Sequence, residues 1–341
     1  MTGRVVYTSF ELQFPIGGVR VLSQQVALLR AAGVEAYRWT PTPGFRYTWF
    51  DDDVPTLSGE TLELAEDDVL LLPEIAVVPG HDPAPGAHAI IYSQNQYLTF
   101  LGTADLDPYP GWAAKPELWA VSRADVQTLR RALPGYEPHL VPNIIDAELF
   151  TPAANRVRRV AWMSRKRPVE STLLRRLLRS DPRSAGVELH DINQVSHEEV
   201  ARVLGETSVF IALGGPEGEG FGLPAAEAMA AGCLVTGYAG GGGAELFDSP
   251  SAWRVPELAT AELADRALEL LDLPDQDEVR RAGREWVRDR YNTKTATDAL
   301  VEGIRLARAR PGGATTATHP VRWMAEIAKH FPPQPAAVDA N

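Results

Sequence analysis

Residues 214–232, GGPEGEGFGLPAAEAMAAG, are the stretch of this chain that says most about its fold. The stretch follows an apolar run, opens with glycines, carries glutamates and ends in an alanine-rich segment led by Pro224. Proline is common in the first turn of a helix, where an amide hydrogen has no intrahelical acceptor. The free amides of a helix start form an anion site that the helix dipole reinforces. The stretch therefore predicts a strand, a tight glycine turn and a helix whose first turn faces a ligand.

Outward from this stretch, short apolar runs alternate with stretches of helical periodicity along most of the chain. Strands are predicted first at 5–7, 36–39, 69–72, 89–92, 118–121 and 140–141, and then at 158–163, 187–190, 209–213 and 233–236. Strands that alternate with helices are typical of a parallel sheet covered by helices. The sequence thus predicts an α/β fold with two Rossmann-like domains, whose parallel sheets face a central cleft.

The boundary between the predicted domains lies in 146–155, which has no sustained periodicity and contains a proline. After residue 310 the chain becomes turn-rich, and its last residues, PPQPAAVDAN, have the composition of a loose tail. We expect four segments: an N-terminal domain at 1–150, a C-terminal domain at 151–317, a short helix within 318–333 and a flexible tail at 334–341.

The composition is that of a soluble, acidic protein. Its 341 residues exceed what one core usually holds, and 45 acidic against 33 basic residues give a formal net charge of −12. Such a surface repels phosphate backbones, which argues against general nucleic-acid binding. The single cysteine, Cys233, excludes an internal disulfide and a cysteine-rich zinc site. Because no apolar run is long enough for a membrane span and 1–10 lack a signal-peptide pattern, we expect a cytoplasmic protein.

Two glutamates of the glycine-rich stretch are placed to contact one ligand. Glu219 lies in the loop, and Glu227 lies eight residues further on, in the following helix. Carboxylates accept hydrogen bonds from sugar hydroxyls. Gly220 and Gly222 allow the backbone to come close to a ligand and to adopt angles that other residues avoid.

In this order, the two glutamates, the turn and the small-residue helix resemble the donor-binding motif of the retaining glycosyltransferases of family 4, which have the GT-B fold. Similar positions extend over roughly residues 1–300: Gly17 and Gly18 ahead of a helix, the segment 141–152, and the glycines 241–243 followed by Glu245. The resemblance implies an N-terminal acceptor domain and a C-terminal domain that binds a nucleotide-sugar donor.

The resemblance also implies roles for individual residues at the donor. Glu219 would bind donor-sugar hydroxyls, Glu227 the nucleotide ribose, and the amides of Gly17 and Gly18 the diphosphate. The turn itself contributes the remaining donor-binding residues: Gly220, Phe221, Gly222 and Leu223.

A diphosphate needs positive charge, which the family supplies after the first strand of the second domain. This chain has Arg165 and Lys166 at that place, adjacent rather than separated by several residues, and Arg167 could replace either. A solvated basic turn is the alternative reading of the run. An acidic protein that binds a dianion requires some such cluster.

The acceptor side departs from the family, many members of which carry a histidine at a strand end there. At comparable strand ends this chain has Glu74, Gln94 and Asn95. We expect the two amides to bind neutral hydroxyls, because amides both donate and accept hydrogen bonds. Glu74 either orients an acceptor hydroxyl or is an exposed loop carboxylate. His190 and His197 are interpreted as ordinary surface or loop residues.

No metal or other cofactor is expected. The run Asp51, Asp52, Asp53 fits the short D-x-D pattern of metal-dependent glycosyltransferases, but so short a motif often occurs by accident. No pair of histidines has the spacing of metal ligands.

The sequence therefore predicts a metal-independent glycosyltransferase that retains anomeric configuration. Its partners would be a nucleotide diphosphate sugar and a hydroxyl acceptor that is a glycan, a lipid-linked molecule or a small molecule. The alternatives are a catalytically silent nucleotide-sugar binding subunit and another GT-B activity such as a nucleotide-sugar epimerase. The helix within 318–333 would pack back on the N-terminal domain, as in the family, with peripheral contact to a membrane as the alternative.

Overall fold

The computed structural model describes residues 3–13 and 16–329 and contains two parallel sheets covered by helices. This confirms the predicted α/β fold. No helix within these ranges is long and apolar enough to cross a bilayer. The expected tail at 334–341 and the end of the predicted helix segment lie outside the described residues.

The first sheet is built by the N-terminal part of the chain. The strands of this part are β1 (Val5–Thr8), β2 (Ala36–Thr40), β3 (Thr56–Ser58), β4 (Thr61–Leu64), β5 (Val69–Pro73), β6 (His88–Ser93), β7 (Glu117–Ala120) and β8 (His139–Leu140). All of them except β4 belong to the first sheet. The sheet order is β3-β2-β1-β5-β6-β7-β8, and every neighbouring pair is parallel. All residues of β1 and β5 are buried, as expected of central strands with helices on both faces.

The second sheet follows the predicted boundary. Its strands are β9 (Val157–Trp162), β10 (Glu188–Asp191), β11 (Thr207–Ala212), β12 (Leu234–Gly237) and β13 (Ala252–Arg254). They are all parallel, in the order β10-β9-β11-β12-β13. The strand order reverses between β9 and β11. A crevice therefore opens at the carboxyl ends of these two strands, the usual place for a ligand in an open α/β sheet.

The helices cover both sheets. In the described ranges they are α1 (Gly17–Ala31), α2 (Arg123–Ala132), α3 (Pro168–Ser180), α4 (His197–Glu206), α5 (Leu223–Ala230), α6 (Thr260–Leu270), α7 (Gln276–Arg290), α8 (Thr293–Arg308) and α9 (Met324–Ala328). The hydroxyls of Ser122 and Ser196 cap α2 and α4 by accepting the amides of Asp125 and Glu199.

The chain returns to the first sheet before its end. Helix α8 packs on α1 and on β5, β6 and β7, although it lies within the segment 151–317 that was expected to form the second domain. Strand β14 (Thr315–Thr318) then pairs with β4 in an antiparallel ribbon. Ile327 of α9 is buried in an apolar cluster with Val6 and Trp39. Leu300 and Ile304 of α8 are fully buried, so its apolar face packs on the first sheet.

Gly303 lets α8 lie close against the first sheet. A methyl group at this position would come within 2.5 Å of the indole of Trp119, whose side chain is fully buried. We predict that Gly303→Ala lowers the free energy of unfolding by about 1–3 kcal/mol, because overpacking outweighs the roughly 1 kcal/mol that alanine adds to a helix.

Chemical denaturation of both proteins measures this change. Gly313→Ala is the control, since no atom lies within 4 Å of a methyl group added there. Equal stability of Gly303→Ala and the wild type would mean that α8 does not pack on Trp119 at this distance.

Candidate functional site

The glycine-rich loop joins β11 to α5 at the carboxyl edge of the second sheet. Gly222 is the N-cap of α5 and adopts φ 94°, a left-handed conformation that glycine reaches without strain. No side chain caps this helix, so the amide of Leu223 stays available to a ligand, whereas Pro224 has no amide hydrogen and the amide of Ala225 donates to the carbonyl of Gly222. Pro224 stands in the first turn, as the sequence predicts.

A cavity of about 90 Å³ lies where the strand order reverses. It is bounded by residues that follow β9, by the end of β11 and by the first turn of α5, and its lining includes Arg165, Lys166, Glu219, Phe221 and Gly222. The structure thus brings together five of the residues that the sequence assigned to the donor. The inner wall is apolar, with Phe210 and Leu246 both buried.

The basic run after β9 separates into two kinds of residue. Arg167 is buried, with ion pairs of 3.0 Å to Glu170 and 2.7 Å to Glu257 and a hydrogen bond to the carbonyl of Gly215. Arg167 therefore holds the loop in place. Arg165 and Lys166, which precede it in the chain, are exposed and line the cavity.

Those two exposed cations differ in their partners. The Nζ of Lys166 lies 2.5 Å from Oε1 of Glu219. Arg165 makes no hydrogen bond or ion pair with any of the described residues and so has its full charge available at the cavity. An exposed ion pair such as that of Lys166 is weak and readily exchanges its anion for a phosphate.

Glu227 is buried and forms an ion pair with a cation from α1, a helix that packs on the first sheet. Its Oε1 lies 2.7 Å from Nη2 of Arg20, on α1, and 3.3 Å from Nε2 of His197, the first residue of α4. Burial alone would raise the pKa of Glu227, but the hydrogen bond from His197 and the charge of Arg20 outweigh it and hold the pKa below its ordinary value. Glu227 is therefore an anion at neutral pH.

His197 is a site residue that the sequence interpretation missed. It was taken as an ordinary surface or loop residue, whereas its ring contacts Arg20 and Glu227 and packs against Phe150 with ring centroids 5.1 Å apart. The available signal was its place directly after Ser196, since a residue at a helix start next to the cleft can face a ligand. Arg20 has the same kind of position, shortly after Gly17 and Gly18.

The N-terminal glycines lie opposite the donor loop. A methyl group on Gly17 would come 2.9 Å from Cδ1 of Leu223, and one on Gly18 would come 3.1 Å from Oε1 of Gln94. Helix α1 begins at Gly17 without a side-chain cap, so its first turn resembles that of α5. Pro15, quoted with these glycines in the sequence motif, lies outside the described residues.

The loop after β6 closes against the donor loop from the other side. A methyl group on Gly220 would overlap the carbonyl of Gln94, and one on Gly218 would overlap the ring of Tyr97. The side-chain amide of Asn95 reaches the carbonyl of Gly218 at 3.5 Å. Gln94 and Asn95, predicted at the acceptor, are thus next to the predicted donor residues.

Glu74 holds this loop from beneath. It is buried in a short 3-10 turn (Glu74–Ala76) that follows β5, so it is not the exposed loop carboxylate of the alternative reading. Its carboxylate accepts the amide of Asn95 at 3.0 Å. Burial raises the pKa of Glu74 to about 7, against the opposing effect of the backbone amides of Gln94 and Asn95.

A second buried carboxyl group, Asp125, lies near Glu74 in the first turn of α2. Neither of its oxygens has a hydrogen-bond partner among the described residues. Burial, with the charge of Glu74 as the next cause, raises the pKa of Asp125 to about 8. Both groups therefore stay substantially protonated near neutral pH, the opposite behaviour to that of Glu227.

The aspartate run that fits the metal motif has structural roles instead. The carboxylate of Asp52 is paired with the buried Arg38 and accepts the amide of Tyr47 at 2.9 Å. Asp53 is exposed and lies 3.5 Å from Arg46. Within residues 3–13 and 16–329, no cluster of three or more histidine, cysteine or acidic side chains could hold a metal ion.

The buried carboxyl group of Glu74 makes stability depend on pH. Its pKa of about 7 in the folded protein exceeds the ordinary value of 4.5, so its stabilising effect is complete below about 4.5 and is lost as the pH rises through 7. The loss is on the order of 3 kcal/mol.

We predict that Glu74→Gln, which keeps the acceptor for the Asn95 amide, gains stability relative to the wild type between pH 4.5 and 8. The difference in unfolding free energy, measured by urea titration at several pH values, checks it. A difference that stays constant with pH would contradict the raised pKa. Glu63→Gln, at an exposed carboxylate on β4, is the control.

Known proteins resemble this chain in two ways. Residues 179–286, which include His197, Glu219 and Glu227, match the family model described as glycosyl transferases group 1. No curated protein is significantly similar in sequence.

Among solved structures, the sucrose-phosphate synthase of Thermosynechococcus elongatus is 15% identical with a TM-score of 0.64, covering 90% of this chain and 100% of its own. TarM of Staphylococcus aureus, in complex with fondaparinux, α-GlcNAc-glycerol and UDP, is 8% identical with a TM-score of 0.67, covering 89% and 100%. HepE of Anabaena, in complex with UDP and glucose, is 12% identical with a TM-score of 0.65, again covering 89% and 100%.

At such low sequence identity, these structures are evidence for the fold alone. Their likeness extends over about nine-tenths of the chain and includes both parallel sheets. The chain therefore has the GT-B fold of these glycosyltransferase structures, and its residues 179–286 are similar to the glycosyl transferases group 1.

Proposed function

We propose that this protein is a glycosyltransferase that moves a sugar from a nucleotide diphosphate donor to a hydroxyl acceptor, with retention of anomeric configuration. The observation that carries the proposal is the cavity at the strand-order reversal. There two cations, Arg165 and Lys166, the carboxylate of Glu219 and the uncapped start of α5 surround one small space. A ligand that combines anionic and hydroxyl groups fits this set of partners.

The protein's main contribution to transfer would be electrostatic. As the bond between the sugar and the diphosphate breaks, negative charge grows on the diphosphate, and pre-positioned donors lower the barrier. Arg165, Lys166 and the amides at the starts of α1 and α5 would supply positive charge and hydrogen bonds. The proposed reaction requires no metal ion, because these groups can stabilise the leaving diphosphate themselves.

Retention would follow from attack on the face from which the diphosphate leaves. The acceptor hydroxyl bonds to the anomeric carbon as the bond from that carbon to the diphosphate oxygen breaks. The departing oxygen takes the acceptor proton, so atoms and charge balance. Glu219 would bind hydroxyls of the donor sugar after Lys166 turns to the phosphate, and Glu227 would bind the ribose.

The acceptor would enter between the loop after β6 and the donor loop. Gln94 and Asn95 lie at that junction, and their amides suit a neutral hydroxyl. Because Glu74 accepts the amide of Asn95 from beneath, we assign it an indirect part, through the position of the loop. The acceptor itself would be a glycan, a lipid-linked molecule or a small molecule.

A catalytically silent nucleotide-sugar binding subunit is the second candidate. The observation in its favour is the burial of Glu74 at the strand end where many related enzymes carry a histidine that faces the acceptor. Tight donor binding, with neither sugar transfer nor slow hydrolysis of the donor, would distinguish it from the enzyme.

The donor site is tested first by thermal shift with UDP, GDP, ADP and their sugar conjugates, without added metal. We predict that one base series raises the unfolding temperature of the wild type. An absence of stabilisation by every nucleotide, with and without Mg²⁺ or Mn²⁺, would refute the donor site.

The charge assignment is tested with Arg165→Ala. Loss of one group that stabilises transition-state charge costs about 3 kcal/mol, so we predict a roughly hundredfold lower turnover with a modest change in donor affinity. Arg176→Ala is the matched control, since Arg176 is exposed on α3 outside the cavity lining. Wild-type turnover in Arg165→Ala would move the role to Lys166.

A further inference from the structure

We propose that Arg20 is a positioning residue that reaches across the cleft and orients the carboxylate of Glu227 toward the ribose of the donor. The proposal rests on the function proposed above and adds a residue of the other lobe to nucleotide recognition. The contact that carries it is the 2.7 Å ion pair between Nη2 of Arg20 and Oε1 of Glu227.

Both neighbours of Glu227 contact the same carboxylate oxygen. Arg20 and His197 approach Oε1, whereas Oε2 accepts no hydrogen bond from any described residue. A carboxylate held by one oxygen has the other directed away from its holders and free to accept ribose hydroxyls. The two partners therefore decide which oxygen of Glu227 is available.

Arg20 supplies the formal charge of this arrangement. Its Nη1 is in direct contact with Nε2 of His197. A guanidinium carries a permanent positive charge and can only donate hydrogen bonds, so Arg20 brings a fixed charge next to both the imidazole and the carboxylate. The buried carboxylate of Glu227 therefore has its permanent counter-charge in Arg20, at 2.7 Å.

The remaining contacts restrict how this group can move. The ring of His197 packs edge to face on Phe150, with ring centroids 5.1 Å apart at an angle of 71°. The side chain of Arg20 is only 12% exposed and that of Glu227 only 6%. Arg20 lies on α1 of the first lobe, whereas His197 and Glu227 lie on α4 and α5 of the second. The contact of Arg20 with Glu227 therefore forms only while α1 lies against α4 and α5.

Ribose recognition provides a measurement that a purely structural role would not change. The dissociation constants of UDP, GDP and ADP are compared with those of their 2′-deoxy and 3′-deoxy forms by calorimetry, and the base that binds best is used. A hydrogen bond to a charged group makes the wild type prefer the ribonucleotide by about tenfold or more. In Glu227→Gln this ratio should fall severalfold.

In Arg20→Met the same ratio should fall toward one, in addition to any loss of absolute affinity. Arg20→Lys keeps the charge but not the two-pronged geometry, so its ratio should lie between those of the wild type and Arg20→Met. It also carries the test if Arg20→Met does not fold. Arg30→Met, on the same helix and away from the cleft, is the matched control and should keep the wild-type ratio.

The outcomes separate this inference from the function on which it rests. Equal weakening of both nucleotide forms in the Arg20 variants, with the ratio kept and Glu227→Gln still reducing it, overturns the role of Arg20 alone. A wild type that binds nucleotides without preferring ribose overturns the assignment of Glu227 and this inference with it. A wild type that binds no nucleotide diphosphate refutes the proposed function itself.

Discussion

At the centre of the cleft, glycines of the second sheet's loops lie against the loop after β6, with no room for a Cβ atom. A methyl group on Gly220 would overlap the carbonyl of Gln94, and one on Gly241 would overlap the hydroxyl of Tyr97. Only residues without a Cβ permit two loops to approach so closely. The separation of the two sheets at this point, and therefore the distance between predicted donor and acceptor residues, depends on this contact.

Charge is handled in opposite ways on the two sides of that contact. On the side of α5, the buried Glu227 has imidazole and guanidinium partners, so its pKa is lowered and it remains an anion. Beneath the loop after β6, no cation of the described residues pairs with the buried Glu74 and Asp125, and burial raises their pKa values to about 7 and 8. Burial of an unpaired carboxylate costs so much free energy that the group usually becomes protonated instead. One protein thus has ionised and protonated carboxyl groups in the same cleft near neutral pH.

Much of the fold and part of the site could be predicted from residues close together in sequence. Alternating apolar runs predicted the parallel strands, and the glycine-rich stretch predicted the turn and the start of α5, because local backbone preferences govern both. The cavity brings together Arg165, Lys166 and Glu219, which were predicted from a single loop or strand end each. The return of α8 to the first sheet was not predicted, since amphipathic periodicity shows that a face is buried but not which sheet buries it.

The α/β class, the two sheets and the glycine-rich turn before α5 could be predicted from the sequence, because they follow from the order of apolar, glycine and helix-capping residues. Which charged side chains line the cavity depends instead on the packing of segments that are distant in the chain. Arg165, Lys166 and Arg167 are equivalent as neighbours in a sequence, and the burial of Arg167 between Glu170 and Glu257 is what sets it apart. Arg20, His197 and Glu227 are far apart in the chain and meet through the packing of α1, α4 and α5. Electrostatic interactions depend on distance and burial in space, which no local pattern of residues specifies.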